Sequence, residues 1–294
     1  MHATLALRPL IKKSIDADIA SRTLTHQARV AQLKAARLQP SARPEGTAPA
    51  PLVLLAHGDS WFDYPLNGND LALHSTDIIA QLQSMGDTQP LILNISHYGD
   101  ATTEEMSLTR QQRLIQAIDD KANWANDSAP DAILFSGGGD DIAGNQFCIY
   151  LDYDRGLNTP RFLGVLDMVR ASYLDLFAFR DAKAPGVPVI GHTYDFPIPN
   201  GKHPPCVGPW LQPSLEFTRN SATGTAILYR ALTEFKQMLA TLAVDPANNF
   251  ILIDTQGTLA PAEWANELHP IPAGFQQLAT KFVETLRLRF PGRV

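Results

Sequence analysis

The 294-residue sequence contains only two cysteines and no apolar run that approaches the length of a membrane span. Such a span needs about 20 residues. The first 20 residues carry Lys12, Lys13, Asp16 and Asp18 where a secretory signal needs an unbroken apolar segment. Two cysteines without C-x-x-C spacing predict neither a disulfide framework nor a zinc site. We therefore expect a cytoplasmic protein, with export by a signal-independent route left open.

Signatures of nucleotide and nucleic-acid binding are also absent. The glycines at 137–139 do not complete G-x-G-x-x-G, and no Walker A sequence occurs. Charge is uneven, with a net +5 over residues 1–50 and a net −11 over the rest. An acidic body disfavours nucleic acid as a partner. Apolar content of 45% and charged content of 18% are typical of a folded globular protein.

The sequence divides into an N-terminal extension, residues 1–47, and a larger α/β domain, residues 48–294. Residues 8–38 are rich in helix formers, and a proline-rich linker follows. We expect this basic helix to lie outside the core. Its charge favours either a peripheral contact with an anionic surface or partner protein, or simple packing beside the body with its charges solvated.

From residue 51 short runs of Val, Ile, Leu and Phe alternate with helix-forming segments. Strands are predicted at 51–56, 90–95, 131–136, 187–192 and 249–254, and helices at 70–85, 102–122, 160–182, 221–243 and 272–288. Such alternation requires a parallel sheet with right-handed crossovers and helices on both faces. The predicted fold is a three-layer α/β/α domain. Two long connections, 144–159 and 196–213, are expected to form either a substrate wall or rigid surface excursions.

Chemistry is expected at the end of the first strand, where Ser60 follows a polar turn. An apolar run from Leu52 to Ala56 indicates a strand buried on both faces, and Gly58 relaxes the turn after it. In open α/β sheets the carboxyl ends of strands border the ligand crevice, so a hydroxyl there is a candidate nucleophile. The alternative for an Asp-Ser pair after a strand is helix capping.

Three further motifs follow the ends of later predicted strands. The four in order are Gly58-Asp59-Ser60-Trp61, Asn94-Ile95-Ser96-His97-Tyr98-Gly99-Asp100, Gly137-Gly138-Gly139-Asp140-Asp141 and Asn266-Glu267-Leu268-His269-Pro270. Together they resemble the conserved blocks of the GDSL (SGNH) hydrolase family over roughly residues 51–290. The resemblance implies a flavodoxin-like sheet of about five strands and a serine esterase that needs no metal or other cofactor. Its substrates would be lipid, acetyl-sugar or thioester compounds hydrolysed through an acyl-enzyme.

The resemblance also implies residue roles. Ser60 would be the nucleophile and His269 the general base, since an imidazole pKa near 6.5 suits proton transfer at neutral pH. Ser60, Gly99 and Asp140 would form the oxyanion hole. From their position beside the nucleophile, we further expect Trp61, Phe62 and Tyr64 to form the apolar wall of a crevice for a short to medium acyl chain.

The sequence departs from the family pattern at two positions. Asp140 stands where the family has an asparagine donor, and an ionised carboxylate accepts hydrogen bonds but cannot donate them. We expect Asp140 to turn away and bind N–H groups of the glycine run; the alternatives are a protonated, donating acid or a decayed site. Asn266 replaces the family's acidic residue. It is expected to orient His269 through its amide oxygen, with Glu267 as a fallback.

Two other functions remain open from the sequence. Histidines and aspartates near the strand ends are a candidate set for two metal ions in a phosphoesterase: His57, Asp59, His97, Asp140, Asp141, His192 and His269. The signatures N-H-[DE] and G-D-x-x-D expected of such an enzyme are absent. The other function is a non-catalytic binding module on a decayed hydrolase scaffold, favoured by the two departures and disfavoured by the retention of Ser60 and His269.

Overall fold

The computed structural model of the protein describes residues 2–38, 50–64, 76–126, 128–144, 146–203, 206 and 208–294. Its strands are β1 (Val53–Gly58), β2 (Leu91–Asn94), β3 (Ala132–Ser136), β4 (Leu151–Asp152), β5 (Gly156–Leu157), β6 (Val189–His192) and β7 (Phe250–Ile253). Its helices are α1 (His2–Arg37), α2 (Ile78–Leu82), α3 (Thr102–Glu105), α4 (Leu108–Asp119), α5 (Gly139–Ala143), α6 (Thr159–Lys183), α7 (Gln212–Phe217), α8 (Gly224–Ala243) and α9 (Pro272–Arg289). The predicted proline-rich linker lies almost wholly outside the described residues.

A parallel sheet in the order β2-β1-β3-β6-β7 forms the centre of the fold. Val53 pairs with Leu91 on one side of β1, and His57 pairs with Phe135 on the other. This order is the flavodoxin-like one, in which the chain leaves β1 and β3 in opposite directions and a crevice opens between their carboxyl ends. All five predicted strands of this sheet are present, each within two residues of its predicted bounds.

Helices cover both faces of the sheet. Helices α2 and α9 pack against each other, while α6 packs against both α4 and α8. Right-handed crossovers place these two groups on opposite faces, because the connection from β1 to β2 runs against the direction of the later ones. The predicted three-layer α/β/α fold is confirmed.

Three predicted segments differ in detail. The helix predicted at 102–122 is interrupted at Met106 and Ser107, where the backbone of Ser107 is extended and begins α4. Helix α2 is shorter than the predicted 70–85, of which 70–75 lie outside the described residues. The connection 144–159 contains a 3₁₀ turn and the β4–β5 hairpin, and it buries Phe147 and Tyr150 in the core.

Helix α1 packs against β2 and the 3₁₀ turn Lys121–Asn123. Ile19 and Val30 join the hydrophobic core, and His26 Nε2 lies 2.9 Å from the carbonyl oxygen of Asn123. The expectation that the helix lies outside the core is therefore wrong for this face, because its apolar residues find uncovered surface at the β2 edge. No helix in the described ranges is long and apolar enough to cross a membrane.

The packing of α1 yields a prediction. Val30 is fully buried whereas Leu24 on the same helix is 68% exposed. Replacing Val30 by Ala is expected to lower the free energy of unfolding by about 2 kcal/mol, because it removes buried methyl groups. The matched change Leu24→Ala should alter it by less than about 0.5 kcal/mol. Equal effects in chemical denaturation would show that α1 does not pack on the body in solution.

Candidate active site

Ser60 lies in a tight turn directly after β1. The carbonyl oxygen of Asp59 accepts from the N–H groups of Phe62 and Asp63, both at 3.1 Å, which closes the turn. Gly58 is required where β1 approaches β3, since a Cβ there would lie 2.4 Å from the carbonyl oxygen of Ser136. The sheet thus fixes the backbone that carries Ser60.

The carboxylate of Asp59 holds this turn in place through hydrogen bonds. Its Oδ1 accepts from Trp61 N–H at 3.0 Å and from Ser136 Oγ at 2.8 Å, and its Oδ2 accepts from Tyr194 Oη at 2.5 Å. Burial raises the pKa of Asp59 to about 6, against the three hydrogen bonds that lower it. Since every partner is a donor, Asp59 is satisfied as an anion.

His192 contacts Ser136, one of the hydrogen-bond donors to Asp59. The Nδ1 atom of His192 accepts from Tyr194 N–H at 3.2 Å, so its proton resides on Nε2, which donates to Ser136 Oγ at 2.9 Å. Tyr194 itself has a left-handed backbone, with φ of 53°. Such strain in a non-glycine residue is often found at functional sites. Sequence reasoning missed Tyr194, whose only signal is its position just after β6.

His269 faces Ser60 from the loop between β7 and α9. Trp264 and Pro270 form an isolated bridge, and the N–H groups of Ala265 and Asn266 both point at the carbonyl oxygen of His269, which closes this loop. The loop holds His269 Nε2 2.8 Å from Ser60 Oγ, although 209 positions separate the two residues. The structure therefore brings the predicted nucleophile and the predicted base into direct contact.

Asn266 fixes the tautomer of His269. Its Oδ1 accepts from the N–H groups of Leu268 at 3.0 Å and His269 at 2.9 Å, and lies 3.1 Å from His269 Nδ1. Two backbone donors identify this atom as the amide oxygen, so Nδ1 carries the ring proton. The lone pair on Nε2 then faces Ser60 and accepts a hydrogen bond from its hydroxyl. Asn266 lies where an orienting residue was predicted.

Burial lowers the pKa of His269 to about 3. Desolvation disfavours the imidazolium form, and Asn266 contributes no negative charge to offset it. The ring is therefore neutral at physiological pH, the state that a general base requires.

The three aromatic residues predicted as a crevice wall lie in different environments. Trp61 lines the cavity beside Ser60, and its Nε1 donates to the carbonyl oxygen of Leu268 at 3.2 Å. Phe62 has no exposed surface and packs against His192 and Phe282, so its predicted contact with substrate is wrong. It points into the core, where Phe282 of α9 covers it.

Tyr64 lies behind the base and not on the cavity surface. Its ring centroid is 4.7 Å from that of His269, and Asn266 Nδ2 donates to its Oη at 3.4 Å. The Oη atom also lies 2.6 Å from Cys206 Sγ. Tyr64 therefore accepts a hydrogen bond from the NH₂ group of the Asn266 amide. Of the three aromatic residues predicted to form the wall, Trp61 alone lines the cavity.

Glu267 does not act as the fallback orienter. Its buried carboxylate accepts from the N–H groups of Gly201, Trp210, Leu211 and Gln212 at 2.6–3.0 Å. Four donors from one segment pin the 196–213 connection against the loop that carries His269. Through this connection Pro197 reaches the cavity, and the Trp210 ring lies 5.7 Å from the His269 ring. Sequence reasoning missed this clamp.

A small cavity opens above Ser60 and His269. Its volume is about 30 Å³, enough for about two water molecules. Most of the residues that line it follow the carboxyl ends of β1, β3, β6 and β7, and Leu232 comes from α8. The lining residues are Asp59, Ser60, Trp61, Gly139, Asp140, Ala143, Tyr194, Asp195, Pro197, Leu232, Trp264, Leu268 and His269.

Gly99 is not part of this cavity lining. His97 N–H donates to the carbonyl oxygen of Gly58 at 2.9 Å, so the turn that carries Gly99 lies beside the Ser60 turn. Gly99 is exposed with φ of 77°, which favours glycine, but a Cβ there would meet no atom within 4 Å. Its role as an oxyanion donor stays a prediction.

Asp140 does not bind the glycine run, contrary to our expectation. Among the residues that the structure describes, no N–H group donates to its carboxyl, and its Oδ2 is buried without a partner. The carboxyl that finds donors is Asp141, which accepts from Thr102 N–H at 2.7 Å and Thr102 Oγ1 at 3.0 Å. Asp140 instead lines the cavity with Ser60.

The histidines and acids considered for a metal site do not converge. Within the described ranges no group of three or more His, Cys, Asp or Glu side chains is placed to hold a metal ion. His57 in β1 and His192 in β6 are buried in interior strands of the sheet, and His57 Nε2 lies 3.0 Å from the carbonyl oxygen of Glu105. His269 faces Ser60 instead.

No family model and no curated protein matches the sequence, but solved structures match the fold. A lipase, Lip_vut3, from a goat rumen metagenome aligns with a TM-score of 0.52 at 15% identity, covering 79% of this chain and 96% of that one. An extracellular lipase from Streptomyces rimosus aligns with a TM-score of 0.48 at 16% identity, covering 79% and 98%. The likeness to Lip_vut3 shows the fold alone, and it agrees with the three-layer α/β/α architecture predicted from the sequence.

The neutral partner of His269 yields a second prediction. In Asn266→Asp one carboxylate oxygen keeps the three N–H contacts, and Tyr64 Oη–H turns to donate to the other. The new charge should raise the His269 pKa and move the acid limb of kcat/KM upward by about 1 to 3 pH units. Activity at neutral pH should hold or rise. A pH–rate profile of ester hydrolysis checks this, with Asn266→Ala as the variant that loses orientation.

An unmoved acid limb in Asn266→Asp would show that another group sets it. A large loss of activity at neutral pH, with the fold intact by circular dichroism, would show that the amide N–H has a role of its own.

Glu267 yields a third prediction. Glu267→Ala leaves four N–H groups without their acceptor and should lower the free energy of unfolding by about 3 kcal/mol or more. The matched change Glu263→Ala removes a half-buried carboxylate a few residues away, which accepts from Ala260 N–H and Gln277 Nε2 near the surface, and should cost less, about 1 kcal/mol. Equal losses in urea denaturation would contradict the clamp.

Proposed function

We propose that the protein is a serine esterase that hydrolyses esters of small acyl groups through an acyl-enzyme on Ser60. The observation that carries this proposal is the hydrogen-bonded series from Asn266 Oδ1 through the neutral ring of His269 to Ser60 Oγ. A neutral imidazole 2.8 Å from a hydroxyl can accept its proton, which turns an unreactive alcohol into a nucleophile.

The proposed reaction proceeds in two halves. Ser60 Oγ attacks the ester carbonyl carbon, its proton passes to His269 Nε2, and the carbonyl π electrons move to oxygen. His269 then returns the proton to the departing alcohol as the bond to it breaks, leaving Ser60 acylated. Water repeats the sequence on the acyl-enzyme and releases the carboxylic acid. Throughout, Asn266 Oδ1 accepts from Nδ1–H, so the ring keeps its orientation when it becomes imidazolium.

The oxyanion needs donors beside Ser60. In the described part of the chain Ser60 N–H donates no hydrogen bond, so it is free to point at substrate. Gly99 N–H is a second proposed donor, from the neighbouring turn. Preorganised donors of this kind supply a large share of catalysis, about 2.7–4 kcal/mol for each.

The proposed preference for small acyl groups comes from the size of the cavity. The enclosed space of about 30 Å³ accommodates an acetyl methyl group, whereas a longer acyl chain would have to extend into the open part of the cleft. Trp61 and Trp264 bound it, and both are almost fully buried by core packing, so they resist displacement. The preference therefore lies at the short end of the range expected from the sequence. The alcohol portion faces solvent, and the site leaves it open.

The proposal predicts the outcome of a p-nitrophenyl ester series from acetate to palmitate. Acetate should give the highest kcat/KM, falling by tenfold or more by octanoate. Ser60→Ala and His269→Ala should each lose about 10⁴-fold or more in kcat, whereas Ser84→Ala, which changes an exposed serine, should lose nothing. A chelator should leave the rate unchanged.

Results other than these would contradict different parts of the proposal. Equal rates at all chain lengths would remove the small acyl site while keeping the esterase. Activity that persists in Ser60→Ala would contradict the nucleophile. Activity on p-nitrophenyl phosphate that a chelator abolishes would indicate a metal-dependent phosphoesterase, and inactivity on all of these esters would favour a binding module.

A further inference from the structure

The surroundings of Asp140 do not stabilise a charged carboxylate. Its Oδ2 is buried and has no hydrogen-bond partner, although the side chain lines the same cavity as Ser60 and His269. A buried ionised carboxylate without donors or a cation is costly, whereas a neutral carboxyl carries a proton that it can offer to a ligand. The cavity is where such a ligand atom would lie.

The contrast with Asp59 shows which of the two carboxyls at this site holds the charge. Asp59 accepts from three donors, so its anion is stabilised in place. Asp140 Oδ2 has no such donor, and the negative charge of Asp59, which lines the same cavity, disfavours a second charge on Asp140. Two carboxyls that interact in this way divide into one anion and one acid.

The other charged groups around Asp140 add to this effect. Burial comes first, and the charges of Asp59, Asp141, Asp100 and Glu104 follow it; together they raise the pKa of Asp140 well above its ordinary value. The facing titratable groups come from several elements: Asp59 after β1, Asp100 after β2, Glu104 and Glu105 from α3, Asp141 from α5, Tyr194 after β6, and His269. Asp100 is itself paired with Arg110, at 2.6 Å.

We propose that Asp140 is a neutral carboxylic acid in the resting protein and donates its O–H hydrogen bond to the ester carbonyl oxygen as negative charge develops there. This inference rests on the proposed function and adds a catalytic residue to it. The proton stays on Asp140 throughout. Attack by Ser60 places negative charge on the carbonyl oxygen, and the hydrogen bond from Asp140 shortens. When the tetrahedral intermediate collapses, the carbonyl group re-forms and the hydrogen bond returns to its original length.

The proposal fixes the direction of a pH dependence. Above the pKa of Asp140 the donor is lost and a negative charge faces the oxyanion, so kcat falls on the alkaline side. Below that pKa the acid is intact, and the low pKa of His269 keeps the base neutral. The alkaline limb therefore belongs to Asp140 and the acid limb to His269.

The test uses Asp140→Asn and Asp140→Ala in the full-length chain, with p-nitrophenyl acetate as substrate. The asparagine amide donates at every pH, so Asp140→Asn should stay within about tenfold of the wild-type maximum and lose the alkaline limb. Asp140→Ala has no donor and should lose about 10²–10³-fold in kcat with little change in KM. An alkaline limb in Asp140→Asn identical to that of the wild type would overturn the proposal, as would full activity in Asp140→Ala.

A second variant tests the electrostatic cause. Glu104 is exposed and accepts from Ala101 N–H at 2.9 Å, a bond that a glutamine side chain can also accept. Glu104→Gln removes one negative charge that faces Asp140, so the alkaline limb should move to lower pH by a few tenths of a unit, more at low salt. The remote change Asp254→Asn should leave it in place. An equal shift of the alkaline limb in the two variants would contradict its assignment to Asp140.

A measurement without substrate separates this inference from the proposed function. The carboxyl ¹³C resonance of Asp140, assigned by its loss in Asp140→Asn, should titrate well above pH 4, near which an ordinary aspartate ionises. Titration near pH 4 would overturn the neutral acid even if esterase activity is present. High titration in a protein whose Ser60→Ala variant loses no activity would contradict the proposed nucleophile while leaving the protonation state of Asp140 established.

Discussion

The site depends on one atom, the amide oxygen of Asn266, which gathers three N–H groups of its own loop. Two backbone donors decide which end of the amide is the oxygen, and the third contact then decides which nitrogen of His269 carries the proton. The nitrogen left with a lone pair faces Ser60 at 2.8 Å. A neutral residue thus orients the base without charging it, and burial keeps the His269 pKa near 3. The consequence is an imidazole that stays neutral in mildly acidic solution.

Carboxyl groups near this centre serve different purposes according to the donors they meet. Asp59 and Glu267 are saturated by donors, and they hold the nucleophile turn and the 196–213 connection in place. Glu105 is fully buried with neither oxygen partnered, and burial raises its pKa well above the ordinary value. Asp140 shares that lack of donors but opens onto the cavity. A carboxyl group is stabilised as an anion where N–H and O–H groups surround it, and the neutral acid is favoured where they do not.

Much of the fold was predictable because β1, β3 and β6 are buried on both faces and appear as apolar runs in the sequence. Ser60 was a candidate because it directly follows such a run, and His269 because its motif at 266–270 lies just before α9. Phe62, Tyr64, Asp140 and Glu267 were assigned wrong surroundings, since the direction of a side chain in a turn depends on which distant segment covers it. The contacts of Asp59 with Tyr194, and of Glu267 with Trp210, join residues far apart in the chain, and no local pattern encodes them.

The most direct test of this account is the site of covalent modification by a fluorophosphonate, which reacts with a serine only when a base activates it. Intact-mass and peptide mass spectrometry should find a single adduct, on Ser60, in the wild type. His269→Ala should react far more slowly, and Asp140→Asn should still react. No adduct under conditions where the protein is folded, or an adduct on a different serine, would contradict the claim that Ser60 and His269 form a working nucleophile and base.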